Sequence, residues 1–278
     1  MDALVAAVIM GIVQGLTEFL PVSSSGHLIL VPFLLGPYLP GMKDPFITSL
    51  AFSVMLHIGT LLALLFYFRS DWLRLVPAFL AAVRERSLAG DPERRLAALL
   101  AVATLPALVI GFLLHDVEDA LREQVGLVAV MLVVGGAILW LAERTGARRK
   151  VALDLPFSHA LAIGGAQALA LVPGISRSGI SISAGLFAGL ERAEAARFSF
   201  LMATPITAAA AVYEVFKVVR GESVAIETGP LAAGLLMSFV FGMLAISVLL
   251  RFLRSQSTDV FVAYRLILAA IVLVVWVG

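Results

Sequence analysis

The chain has 278 residues, 61% of them hydrophobic and only 14% charged, with a formal net charge of +1. That composition excludes an ordinary soluble globule and points to an integral membrane protein, while a charge near zero gives no sign of a nucleic-acid partner. There is no cysteine, which excludes disulfides, thiolate catalysis and cysteine metal sites.

The opening MDALVAAVIM has an acidic residue where a signal peptide wants a basic one, so it reads as mature protein. Leu4 to Leu20 is apolar but broken by Gln14 and Glu18. Pro21 and three serines follow, and Leu28 to Gly36 is too short to cross a bilayer. Three full-length apolar stretches come next: Phe46 to Phe68, Leu96 to Leu114 and Val125 to Ala142. His159 to Val172 repeats the broken pattern. It stops at Pro173-Gly174, meets a serine-rich stretch and resumes as Ile180 to Leu190. Phe198 to Phe216, Leu231 to Leu250 and Val260 to Val277 complete the chain. A spanning helix needs roughly 20 apolar residues. The prediction is an all-α integral membrane protein with six transmembrane helices and two re-entrant helical hairpins, forming one membrane domain over 1–278. Polar breaks of this kind are tolerated only inside protein or along a cavity.

The two breaks resemble each other. QGLTEFLPVSSSGH (14–27) over QALALVPGISRSGI (167–180) matches Gln14 with Gln167, Leu16 with Leu169, Ser23 with Ser176, Ser25 with Ser178 and Gly26 with Gly179. This predicts a duplication, 1–142 and 158–278. Three spans follow each hairpin, and three is odd, so the second repeat is expected inverted, with its site where the halves meet. Basic residues set the orientation. Segments 69–95, 143–157, 191–197 and 251–259 carry fourteen Lys or Arg residues, against Lys43, Arg122, Lys217 and Arg220 on the other face. The first face is therefore expected to be cytoplasmic and both termini outside it.

Gln14 and Glu18 lie one helical turn apart. They are hard oxygen ligands for Mg²⁺ or Ca²⁺, or they orient a hydroxyl or imidazole, or they only bond neighbouring helices. Ser23, Ser24 and Ser25 cap the helix that follows, and with Gly26 they build an anion-binding N-terminus. Ser176, Ser178 and Gly179 repeat this. Arg177 sits between two serines and needs an anion: a phosphate of the substrate, or a permanent partner such as Glu18. His27, three residues after Ser24, puts an imidazole beside a hydroxyl, with Glu18 as a third member. That is the set used in nucleophilic catalysis, with Ser24 attacking and His27 as its base, or His27 itself attacking. Phosphoryl transfer needs mainly positioning and charge stabilisation, which Arg177 and the helix N-termini can supply.

QGLTEFLPVSSSGH together with PGISRSG resembles the undecaprenyl-pyrophosphate phosphatase family, also called the bacitracin-resistance family. The resemblance implies a bacterial inner-membrane enzyme that removes one phosphate from undecaprenyl pyrophosphate, regenerating the lipid carrier of peptidoglycan synthesis. It implies that Glu18, Ser24, His27 and Arg177 are the family's functional residues. It also implies Mg²⁺ or Ca²⁺ dependence, an active site open to the outer face, and dimers. The family's first motif is Glu or Gln, three residues, then Glu. Gln14 to Glu18 is the form with one carboxylate, which puts a two-carboxylate metal site in doubt. The rival reading is a polyprenyl-phosphate transporter or flippase, which would need phosphate donors but no nucleophile and base.

Other polar residues receive quieter expectations. His57 lines the cavity or packs as a satisfied histidine. Arg265 snorkels to the interface, and Glu214 reaches the outer one. HDVED (115–119) is a solvated turn, and RTGARRK (144–150) is a topology signal with attraction to anionic lipid. Pro106 and Pro205 kink their spans. Gly185 and Gly189 permit close helix approach.

Overall fold

The computed structural model describes residues 2–114, 121, 124–220 and 227–277; the 115–119 loop and Arg122 lie outside them. Among the described residues the fold is all-helical. The eleven α-helices are α1 (Asp2–Phe19), α2 (Ser24–Leu35), α3 (Leu50–Tyr67), α4 (Arg69–Glu85), α5 (Pro92–Leu113), α6 (Val125–Thr145), α7 (Phe157–Gln167), α8 (Arg177–Phe187), α9 (Arg192–Val219), α10 (Thr228–Phe252) and α11 (Asp259–Val277). Six of them, α3, α5, α6, α9, α10 and α11, are long and apolar enough to cross a membrane, each matching a stretch predicted from sequence. α2, α7 and α8 have 12, 11 and 11 residues. At 1.5 Å per residue they are roughly 17–18 Å long, far short of a ~30 Å hydrocarbon core.

α4 was not foreseen. Segment 69–95, counted above only for its basic residues, is helical over Arg69–Glu85. Leu75, Ala78 and Ala82 face the protein while Leu73, Val76, Leu80 and Val83 are exposed, the helical spacing of a two-sided apolar helix. Asp71 ties it to α9 by accepting from Arg197 at 2.6 Å.

Close helix approach is concentrated where α1 and α3 meet α10. A Cβ on Gly11 would lie 2.3 Å from the Gly234 carbonyl oxygen, one on Gly15 2.7 Å from that of Ser238, and one on Gly59 2.6 Å from that of Leu235. Such contacts let backbones pack directly, which is how helices associate where lipid removes the hydrophobic drive. Gly11→Ala should therefore destabilise the protein by about 1–3 kcal/mol through overpacking, read as a lowered melting temperature in detergent; an unchanged melt would contradict this packing. Gly185 also makes a close approach, with a Cβ there 3.0 Å from Ala195 Cβ of α9. Gly189 does not: its φ of +93° turns the chain after α8, and its carbonyl accepts from Arg149 and Lys150 at 3.0 Å each. α5 and α9 continue helically through Pro106 and Pro205.

On the face read as cytoplasmic, buried Glu143 at the end of α6 joins three elements. It accepts from Arg148 at 2.5 Å, from Arg192 Nε at 2.9 and 3.1 Å, and from the Thr258 hydroxyl at 3.0 Å. Arg148 and Arg192, counted above as topology signals, thus have a packing role as well. Glu214, expected at the outer interface, is a buried side chain. It is 4% exposed and faces Lys217, one turn on, at 3.9 Å.

Candidate functional site

The two breaks fold alike. Ser23 and Ser176 take φ of 75° and 77°, unusual for non-glycine residues. Each caps its helix by accepting from a backbone N–H, Gly26 at 3.2 Å and Gly179 at 3.0 Å. Each hydroxyl lies near the serine two residues on, Ser25 at 3.4 Å and Ser178 at 3.2 Å. Left-handed serines cost of order 1–3 kcal/mol each and persist only where surroundings over-determine them. Their effect is to place the next residue at the first helical position. In α2 that residue is Ser24; in α8 it is Arg177.

Ser24 and Arg177 converge on one carboxylate. The Ser24 hydroxyl donates to Glu18 Oε2 at 2.6 Å, and Arg177 Nη2 pairs with Glu18 Oε1. Arg177 Nη1 donates to the Thr207 hydroxyl at 2.8 Å, so its fork bridges α1 and α9. Gln14 Nε2 donates to Glu18 Oε2 at 3.0 Å, one turn back along α1. His57 Nε2 lies 3.3 Å from the same oxygen, and its Nδ1 lies 2.8 Å from the Ser53 carbonyl. A carbonyl only accepts, so Nδ1 carries a hydrogen and Nε2 is the nitrogen turned to the carboxylate. The Glu18 side chain is 4% exposed, those of Arg177 and His57 22% and 23%, so the carboxylate is covered while these two partners stay partly open.

His27 is elsewhere. Its Nδ1 donates to the Ser23 carbonyl at 2.7 Å, and its Nε2 meets the Tyr264 hydroxyl at 2.7 Å. The rings stack at 5.7 Å. With Nδ1 donating, Nε2 accepts the phenolic hydrogen, so both nitrogens are engaged and neither is turned to Ser24. Sequence spacing placed the two residues on one helix but could not say which way each pointed. The imidazole at the carboxylate is instead His57, from a span far away in sequence; a polar residue inside an apolar span was its only sequence signal. Ser25 and Gly26 belong to the first cap, Ser176 and Gly179 to the second. Ser178 ties the breaks together, donating to the Leu20 carbonyl at 3.0 Å.

Arg265 does not snorkel. It is 0% exposed and, among the described residues, donates to backbone carbonyls: Leu132 at 2.9 Å, Met131 at 3.2 Å, Pro21 at 3.2 Å, Gly174 at 2.7 Å and Ile175 at 3.1 Å. Its place early in the last span suggested an interface, but the path outward is closed by packed helices.

The residues fit a dedicated metal cage poorly. Mg²⁺ and Ca²⁺ want about six or more oxygens, usually several of them anionic. Here one carboxylate serves, and Arg177, Gln14, Ser24 and His57 already occupy it. Gln14 Oε1 is a buried acceptor without a donor, a single neutral ligand. Among the described residues no group of three or more His, Cys, Asp or Glu side chains could hold a metal ion.

These features define a multi-pass helical membrane protein whose interior holds a hydroxyl and a guanidinium, each at a helix start, converging on one carboxylate, a set suited to an anionic group. The chain belongs to the family described as bacitracin resistance protein BacA, whose model matches residues 7–271. It is 44% identical over 268 residues to the undecaprenyl-diphosphatase of Desulforudis audaxviator, covering 96% of each chain. It is 44% identical over 277 residues to that of Pelobacter propionicus, covering 99% of this chain and 98% of the other.

Proposed function

We propose that this chain is an undecaprenyl-diphosphatase, hydrolysing undecaprenyl pyrophosphate to undecaprenyl phosphate and inorganic phosphate and so recycling the lipid carrier for bacterial cell-wall synthesis. Family membership and the relatives' activity support it. The observation that carries it is the convergence of Ser24 and Arg177 on Glu18. A transporter or flippase would need phosphate donors but has no use for a hydroxyl held 2.6 Å from a carboxylate.

In this reading the pyrophosphate lies between the N-termini of α2 and α8, where the helix dipoles favour anions. Arg177 moves from Glu18 to the terminal phosphoryl group, which strengthens the released carboxylate as a base. The Ser24 oxygen attacks the terminal phosphorus while Glu18 takes its proton. The bond to the bridging oxygen breaks, and undecaprenyl phosphate leaves. Glu18 passes that proton to the departing undecaprenyl phosphate and is then free to take one from the water that attacks the phosphoserine. The Ser24 oxygen–phosphorus bond breaks, Glu18 returns the proton to the Ser24 oxygen, and inorganic phosphate leaves. His57 and Gln14 orient Glu18. A divalent cation would neutralise charge on the diphosphate, with Gln14 Oε1 as the ligand the protein has to spare. Purified protein should release inorganic phosphate from undecaprenyl pyrophosphate and not from undecaprenyl phosphate; a folded preparation that releases none overturns the reading.

The pairs α1–α2 and α7–α8 serve as re-entrant hairpins of an inverted repeat in the inner membrane, with the site open to the outer face. The short helices and the likeness of the two breaks support this. Assembly as a homodimer rests on the family resemblance. Both termini are then outside the cytoplasm, so an alkaline phosphatase fused after Gly278 should be active. A fusion active only with a cytoplasmic reporter would remove this topology.

A further inference from the structure

Among the described residues Arg265 heads the fully enclosed side chains by size. Among the described residues its hydrogen-bond acceptors are all carbonyls and include no carboxylate. Burying an arginine without a counter-charge is costly, and an apolar side chain would pack there more cheaply. What its planar fork achieves is to reach three segments at once. Nη1 holds Pro21 in the first break, Nη2 holds Gly174 and Ile175 in the second, and Nε holds Leu132 of α6. Space is kept for it: a Cβ on Gly135 would lie 2.1 Å from Nη2, and one on Gly179 3.2 Å from Nη1. Its neighbour Tyr264 holds His27 of α2. One dipeptide of the last span thus grips both interrupted segments at the points where they turn.

We propose that Arg265 is a positioning residue: it sets the separation of the α2 and α8 N-termini, and so matches the site to a diphosphate rather than a monophosphate, without touching substrate. The proposal rests on the reading of that site as a pyrophosphate site. The side chain lies behind Ser23 and Ser176, the two strained caps, and a cation bonded to the carbonyls just before them opposes any rotation of either turn. Lysine, with a single nitrogen, could hold one break but not both.

The test uses the full chain in detergent as wild type, Arg265→Lys and Arg265→Met, with size-exclusion profile and melting temperature as controls for folding. Two probes with the same tail are compared, undecaprenyl methylenebisphosphonate and undecaprenyl phosphate. A displacement of about 1 Å costs on the order of 10²-fold, so kcat/KM and bisphosphonate affinity should both fall by that order in Arg265→Lys, while monophosphate affinity stays within about threefold. Equal weakening of both probes, or no weakening in a folded variant, overturns the proposal. If neither variant folds, Ser178→Ala decides. It removes the other tie between the breaks, Ser178 to the Leu20 carbonyl, and must weaken the bisphosphonate selectively; equal loss again overturns the proposal. A wild-type protein that does not prefer the bisphosphonate overturns instead the underlying reading of the site.

Discussion

Ser24→Ala is expected to lower kcat by about 10²–10⁴ with little change in KM, and Glu18→Gln by a similar amount. The serine hydroxyl is a weak nucleophile until a base removes its proton. Glu18 is the base at hand, 2.6 Å from the Ser24 oxygen and held in place by Gln14 and His57. Nucleophile and base act as a unit, so the double variant should lose little more than the worse single one. Quenching turnover with labelled substrate should trap an acid-stable, alkali-labile phosphoserine at Ser24. An acid-labile, alkali-stable adduct on His27 or His57 would reassign the nucleophile. A fully active Ser24→Ala enzyme would leave Ser24 as part of the helix start only. His27→Ala is expected to act mainly through stability, because the histidine's two nitrogens serve Ser23 and Tyr264.

Arg177→Lys should cost on the order of 10²–10³ in kcat, the loss typical of one preorganised charge-stabilising donor. The guanidinium uses one nitrogen on Thr207 and another on Glu18. Held by Thr207, it can turn the second nitrogen to a phosphoryl oxygen whose charge grows as the bridging bond breaks. An ammonium has no second arm at that angle. The same ion pair also holds the substrate-free site together, since a buried carboxylate stripped of its partner loses about 3–5 kcal/mol. Arg177→Met should therefore melt markedly lower than wild type, while Arg177→Lys should fold and yet remain slow. Near wild-type turnover in a folded Arg177→Lys protein would contradict the role assigned to the fork.

Much of the architecture is legible in the residue order because a bilayer leaves few choices. A run of apolar residues long enough to cross must be a helix with every backbone group satisfied internally, and the six such runs each correspond to a long helix. The serine caps were readable for a local reason: Ser23 and Ser176 bond to N–H groups three residues away. Gln14 and Glu18 were readable as a pair because one helical turn separates them. α4 was missed because its basic residues mask a helical period.

Side-chain direction and long-range partners were beyond the sequence. A spacing of three placed His27 near Ser24, but rotamer and packing send its ring to Tyr264, 237 positions away. His57, Thr207 and Ser178 reach Glu18, Arg177 and Leu20 only because α3 packs against α1, α9 packs against α8, and α8 starts beside the first break. Arg265 looked like an interfacial arginine, yet its acceptors lie 90 to 244 positions away in three separate segments. The sequence by itself determined the class of protein, its spans, its two polar breaks and the family motif, because hydrophobic length and helix capping are local properties. Only the tertiary structure decided which imidazole faces the carboxylate and what the buried arginine holds, because a hydrogen bond depends on where a donor's partner has been carried by every helix between them.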